Sequence, residues 1–137
     1  MKPIIVFLLM AAIWPMQASA CRCKEPSLRG AYANADAVAI VRIKSVTVLP
    51  GEITRADAVV IQSWKISLPQ EFNVFTGEDC AYPLGKGSSY LLYLKRGKDG
   101  EFGTYSCRGN RVDVEAASRI KWLNRHAKLQ SSYKSSQ

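Results

Sequence analysis

Cys21, Cys23, Cys80 and Cys107 are the residues of this chain best able to do chemistry. A cysteine can ligate a metal, attack as a thiolate or close a disulfide, and spacing separates these roles. No Cys-x-x-Cys pair offers two thiolates at a zinc-binding separation, and the single histidine, His126, excludes centres and triads built on several imidazoles. Disulfides are the expected state. A Cys21–Cys23 bond would close a tiny strained ring, so two long bridges are expected, each adding about 4 kcal/mol by chain entropy. Spacing leaves their partners open. In an extended segment Cys21 and Cys23 point to one side and Arg22 to the other, so both cysteines can be bolted down while Arg22 stays presented.

Other candidate constellations have plainer readings. Adjacent Glu78-Asp79 in a turn reads as solvated carboxylates rather than an acid–base pair. Gly85-Lys86-Gly87-Ser88-Ser89 lacks the first glycine of a phosphate loop and precedes a strand, so it reads as a turn. No enzyme and no cofactor are expected. Trp64 and Trp122 are expected in the core, and His126 on the charged face of the last helix.

Lys2, an apolar run over residues 4–13 and Ala18-Ser19-Ala20 form a signal-peptide pattern, with cleavage expected after Ala20. Residues 21–137 would then be one exported domain, extracellular or periplasmic, beginning with a free α-amine on Cys21. Lipoprotein processing also cuts before a cysteine and would acylate Cys21, although Ala18 stands where that route prefers a leucine-like residue. The 137 residues are 47% hydrophobic and 22% charged, which suits one folded domain and excludes disordered and collagen-like classes. Nineteen basic against 11 acidic side chains give a formal charge of +8, which favours acidic partners.

The elements that must hold the cysteines follow from periodicity. Pro26-Ser27 opens a short helix over residues 28–35, with Ser27 as N-cap. A strand over residues 37–48 is apolar on both faces at first, and a second, over 58–68, has Val60, Trp64, Ile66 and Leu68 on one side. Phe72 and Val74 alternate with polar residues, and runs at 89–95 and 102–107 form a hairpin across Gly97-Lys98-Asp99-Gly100. After Asp113 an apolar stripe of Ala116, Ile120, Leu123 and Ala127 predicts a helix with Arg119, Lys121, Arg125 and Lys128 outward. The fold class is all-β: a five-stranded OB-type barrel with a short N-terminal and a C-terminal helix, although strand counting alone does not separate a barrel from a sandwich.

Cys21-Arg22-Cys23, then Ala31-Tyr32-Ala33-Asn34-Ala35-Asp36-Ala37-Val38, resembles the mature amino terminus and the Asn-Ala-Asp stretch of the tissue inhibitors of metalloproteinases and, more broadly, of netrin-like domains. Thr76-Gly77 ahead of Cys80, Gly87 with Tyr90-Leu91-Leu92-Tyr93, and Cys107 are similar to that domain's later segments. The resemblance implies an OB barrel with Cys21 paired to Cys80 and Cys23 to Cys107. It also implies a secreted zinc metalloprotease inhibitor in which the Cys21 amine and carbonyl chelate the target's zinc. Arg22, Lys24, Glu25 and Pro26 would then occupy the cleft, with Gly77, Glu78, Asp79 and Cys80 beside them.

Three departures qualify it. Ala33 stands where many members carry a further cysteine, whose partner near the C-terminal helix is also missing. A second, cysteine-rich domain is not expected, and Arg22 replaces the usual small or uncharged residue. The alternative is a non-inhibitory netrin-like module that binds an anionic glycan, surface or protein partner. Arg119, Lys121, Arg125, Lys128 and Lys134 would form its basic face; nucleic acid is not an expected partner in an exported compartment.

Overall fold

The structure, a computed structural model, describes residues 21–135, without the side chains of Glu78 and of residues 127–135. The expected signal peptide and the side chains of Lys128 and Lys134 lie outside the described residues.

Helix α1 (Leu28–Asn34) begins where expected: the Ser27 hydroxyl accepts the Gly30 N–H, satisfying one of the amides that a helix start leaves unpaired. Six strands follow, β1 (Ala37–Leu49), β2 (Ile53–Trp64), β3 (Glu71–Thr76), β4 (Ser89–Arg96), β5 (Phe102–Gly103) and β6 (Arg111–Val112), before helix α2 (Ala117–Ser135). The sheet runs β1-β2-β3-β5-β4 and closes from β4 back to β1, giving a five-stranded OB-type barrel, with β6 added on β4. Among the described residues, only β3 and β5 pair in parallel. Closure removes the long open edges that strands of this apolarity would otherwise expose.

Strand β1 is apolar on both faces because both are covered. Its odd positions Ala37, Ala39, Val41 and Ile43 point into the barrel with Ala56, Ala58 and Leu92; the small alanines suit the narrow interior of five strands. Its even positions Val38 and Ile40 face outward with Leu91 and Tyr93, beneath Tyr32 of α1 and Leu123 of α2.

Strand β2 corrects the predicted span. It starts at Ile53 and ends at Trp64 rather than running over residues 58–68. The β1–β2 register slips between Ile40 and Val41, where Val41 pairs with Val60 and Ile40 with Gln62. Ile61 is therefore bulged out, 59% exposed, and the facing alternation reverses beyond it. Val60 thus faces the barrel while Trp64 turns out beneath α2, where its Nε1 donates to Asn124 Oδ1 at 3.1 Å. Lys65 then takes a left-handed φ of 77°, which ends the strand. Its ammonium donates to the carbonyl of Tyr32 at 2.6 Å, to that of Ala33 and to that of Ala35, capping the end of α1. Ile66 and Leu68 still pack against the barrel core from the loop.

Asp36 ties the α1–β1 junction to β4. It accepts the Arg96 N–H at 2.8 Å, and that bond, with Lys95 nearby, holds its carboxyl below the usual carboxylate range.

The expected strand over residues 102–107 shortens to β5, and the chain then turns through a 3-10 segment, Ser106–Arg108. Helix α2 corrects two readings. Arg119, expected outward, is only 7% exposed, while Lys121 and Arg125 are exposed. His126, expected on the charged face, stacks on Trp122 at 4.8 Å between ring centroids and meets Tyr32 edge-on at 4.8 Å. This aromatic cluster joins α1 to α2 in a chain that lacks the further disulfide suggested by the departure at Ala33.

Candidate functional site

Parallel pairing of β3 with β5 builds the site. Parallel neighbours leave the sheet at the same end, and the registers Val74 with Phe102 and Phe75 with Gly103 bring their exits side by side. Each strand then runs into a short 3-10 turn that carries a cysteine: Cys80 in Glu78–Cys80 and Cys107 in Ser106–Arg108. Cys21 bonds to Cys80 with Cα atoms 5.6 Å apart, and Cys23 bonds to Cys107 at 5.2 Å. Both Cα separations suit disulfides. Two cysteines on one side of an extended strap thus meet two cysteines at one barrel end, and no cysteine remains free. The pairing is the expected one. Two disulfides are compatible with an exported protein.

Beyond the disulfides the strap has further anchors. The Glu25 carboxylate accepts from both Arg111 of β6 and Arg119 of α2, so one acid at the strap's end is gripped by two elements. Arg119 reaches it from the helix interior, its side chain only 8% exposed. Pro26 packs on Gly109, whose φ of 93° demands glycine; a Cβ there would also sit 3.2 Å from Pro26 Cγ and 3.3 Å from Ala31 Cβ. Buried Asn110 holds the same loop to the barrel. Its Oδ1 accepts the Tyr93 N–H at 2.7 Å, and its Nδ2 donates to Thr104 Oγ1 at 2.7 Å and to the Tyr105 carbonyl.

What the strap leaves outward is short. Arg22 and Lys24 are exposed, and neither makes a hydrogen bond or ion pair among the described residues. Asp79 is exposed on the adjacent turn, with its carbonyl oxygen 2.9 Å from Cys21 Sγ. Gly77 packs against the β1–β2 hairpin, where a Cβ would meet Ile53 Cα at 3.1 Å. The structure therefore gathers residues 21–26 with residues 77–80 at one barrel end, but directs the Glu25 carboxylate to internal anchoring. The Glu78 side chain lies outside the described residues. Among the described residues, no group of three or more histidine, cysteine, aspartate or glutamate side chains is arranged to hold a metal ion.

No protein-family model and no characterised protein matches this chain. Its geometry carries the functional argument.

Sequence reading missed Arg111, Arg119, Gly109 and Asn110 as supports of the strap. One signal for Arg119 was present: it lies three residues after Ala116 and four before Leu123, within the stripe that the helix buries. Its charge argued for the outside, and the Glu25 carboxylate, with the Tyr93 ring 6.0 Å from the guanidinium carbon, reverses that.

Replacement of Arg119 by methionine tests the anchor. Arg119→Met keeps the apolar stem and is expected to lower unfolding free energy by about 1–2 kcal/mol, a charge-assisted bond discounted for the exposure of Glu25. The urea midpoint at unchanged m-value reads it. A loss below about 0.3 kcal/mol would mean that Arg111 alone holds Glu25.

Proposed function

We propose that the chain, once cleaved before Cys21, inhibits a zinc metalloendopeptidase by placing the Cys21 α-amine and carbonyl on the target's catalytic zinc. The observation that carries this reading is the double bolting of the strap at the joint exit of β3 and β5, which immobilises Cys21 and Cys23 while Arg22 stays outward. A catalytic zinc keeps one position for water, and a neutral amine with its own carbonyl forms a five-membered chelate that can displace it. Reference α-amines titrate near about 7.7–8.0, so proton loss costs little at neutral pH. A rigid strap has lost its conformational freedom before binding, and that ordering cost does not weaken the complex.

Arg22 would enter the pocket beside the zinc. A long cation there favours a target with an acidic or deep pocket and disfavours a short apolar one. Arg22→Thr is therefore expected to improve inhibition of short-pocket metalloproteases by about tenfold or more and to weaken inhibition of acidic-pocket ones. Inhibition constants over a protease panel, measured with protein carrying a free Cys21 amine, test both the activity and this shift. No inhibition of any panel member by folded, free-amine protein would remove the proposal.

Exposed Lys121 and Arg125 support a second reading, a basic face of α2 that binds an anionic glycan or surface. Burial of Arg119 withdraws one cation from that face. Such binding would fall steeply with salt and ignore the amino terminus, whereas zinc capping requires the free amine.

A further inference from the structure

A groove of about 590 Å³ runs beside the Cys21–Cys80 bridge, lined by Ile53, Phe75, Cys80, Lys95, Tyr105 and Arg108, with Asp79 also in its wall. Arg108 is its unusual member. The guanidinium carbon lies 4.5 Å over the Tyr105 ring, the Nε is buried with no hydrogen-bond partner, and the side chain has no ion pair among the described residues. The buried Nε has lost water without gaining an acceptor, while the Nη groups stay accessible and unpaired among the described residues, so it is the Nη end that is open to an anion supplied from outside. Its position is fixed by its neighbours: Cys107 is bolted to Cys23, and Gly109 follows in the left-handed region. A second cation, Lys95, is steadied by the Asn34 carbonyl at 3.2 Å and Asp36 at 3.4 Å, a half-exposed pair that leaves its charge only partly offset.

We propose that this groove binds an extended peptide segment of a partner protein by an acidic side chain, whose carboxylate is taken by Arg108 with help from Lys95. The apolar walls decide between possible anions. Ile53, 38% exposed, Tyr105, 37% exposed, and Phe75 offer surface that a free phosphate or sulfate would leave wet, whereas apolar residues flanking a glutamate would cover it. An arginine stacked on an aromatic ring presents its planar fork to a carboxylate at little further entropy cost. The site goes beyond zinc capping and needs no free α-amine.

The test is an NMR titration of the full mature chain with an acetylated and amidated peptide, Ala-Leu-Glu-Leu-Ala, its glutamine counterpart, and inorganic phosphate alone. The glutamate peptide is expected to shift the amides of residues 103–108 and to bind about tenfold more tightly than the glutamine peptide, and Arg108→Gln to remove that difference. Asp79→Asn, which deletes a carboxylate of the groove wall, is expected to tighten the glutamate peptide about two- to threefold. Equal binding of the two peptides, or an unchanged preference in folded Arg108→Gln, would overturn the proposal. So would phosphate producing the same shifts while the peptide adds none. If Arg108→Gln does not fold, Lys95→Gln must reduce the preference by about twofold or more, and no reduction overturns the proposal. A variant extended before Cys21 should bind the peptide normally, so failure of zinc capping and failure of this site give different results.

Discussion

One alanine added ahead of Cys21 is expected to reduce metalloprotease inhibition by about 100-fold or more while leaving the melting temperature unchanged. The extension turns the α-amine into an amide, whose nitrogen has no available lone pair, and puts chain where the zinc would sit. Nothing in the barrel depends on that amine: the strap is held through Cys21, Cys23, Glu25 and Pro26 side chains. Acylation of the amine is expected to act in the same way. The mechanism also sets a pH direction. Only the neutral amine can donate to zinc, so inhibition should weaken as pH falls below about 7.7, by up to about tenfold per pH unit. Inhibition constants of native, extended and N-acetylated protein against one sensitive protease test all of this. Full potency of the extended form would exclude zinc capping and leave the binding-module reading.

Removal of the Cys23–Cys107 bridge should have the largest effect on stability. It joins residues 84 apart in sequence, and opening a loop of that length frees the unfolded chain by about 4 kcal/mol on the chain-entropy account. Single domains hold only about 5–15 kcal/mol, so Cys23→Ser with Cys107→Ser is expected to lower the melting temperature by about 15–20 °C. The double substitution avoids leaving a free thiol able to exchange with the Cys21–Cys80 bond. Circular dichroism melts of the two forms measure the change. A drop under about 5 °C would mean that Glu25 and Pro26 hold the strap without the bridge. The same variant should also lose ordering at Arg108, so the acidic-peptide preference would weaken with it.

Much of this architecture was legible in the chain. Ser27 capped its helix, β1 was recognisable as apolar on both faces, and Gly97-Lys98-Asp99-Gly100 turned between β4 and β5. These are local properties: a cap bonds three residues on, and a strand repeats every second residue. The failures were equally physical. Strand β2 was misplaced because a bulge at Ile61 reverses its alternation, and a left-handed Lys65 that no propensity favours ends it. His126 and Arg119 were assigned to the surface because residue type suggested exposure, but the Trp122 ring and the Glu25 carboxylate brought them in.

The sequence by itself determined that the cysteines form long disulfides, that Arg22 faces away from Cys21 and Cys23, and that the bulk is all-β with a helix toward each end. The period of an extended chain and the count and spacing of thiols suffice for that. Spacing left the pairing open, and the resemblance only implied it; the tertiary structure decided it. The choice depends on β3 and β5 running parallel, so that Cys80 and Cys107 emerge together at one end of the closed barrel. Barrel closure also decided that Arg108 would stand half-buried without an acceptor and that Arg119 would find one. Contacts between residues far apart in sequence carry no local signature, because their free energy exists only after the chain has closed around them.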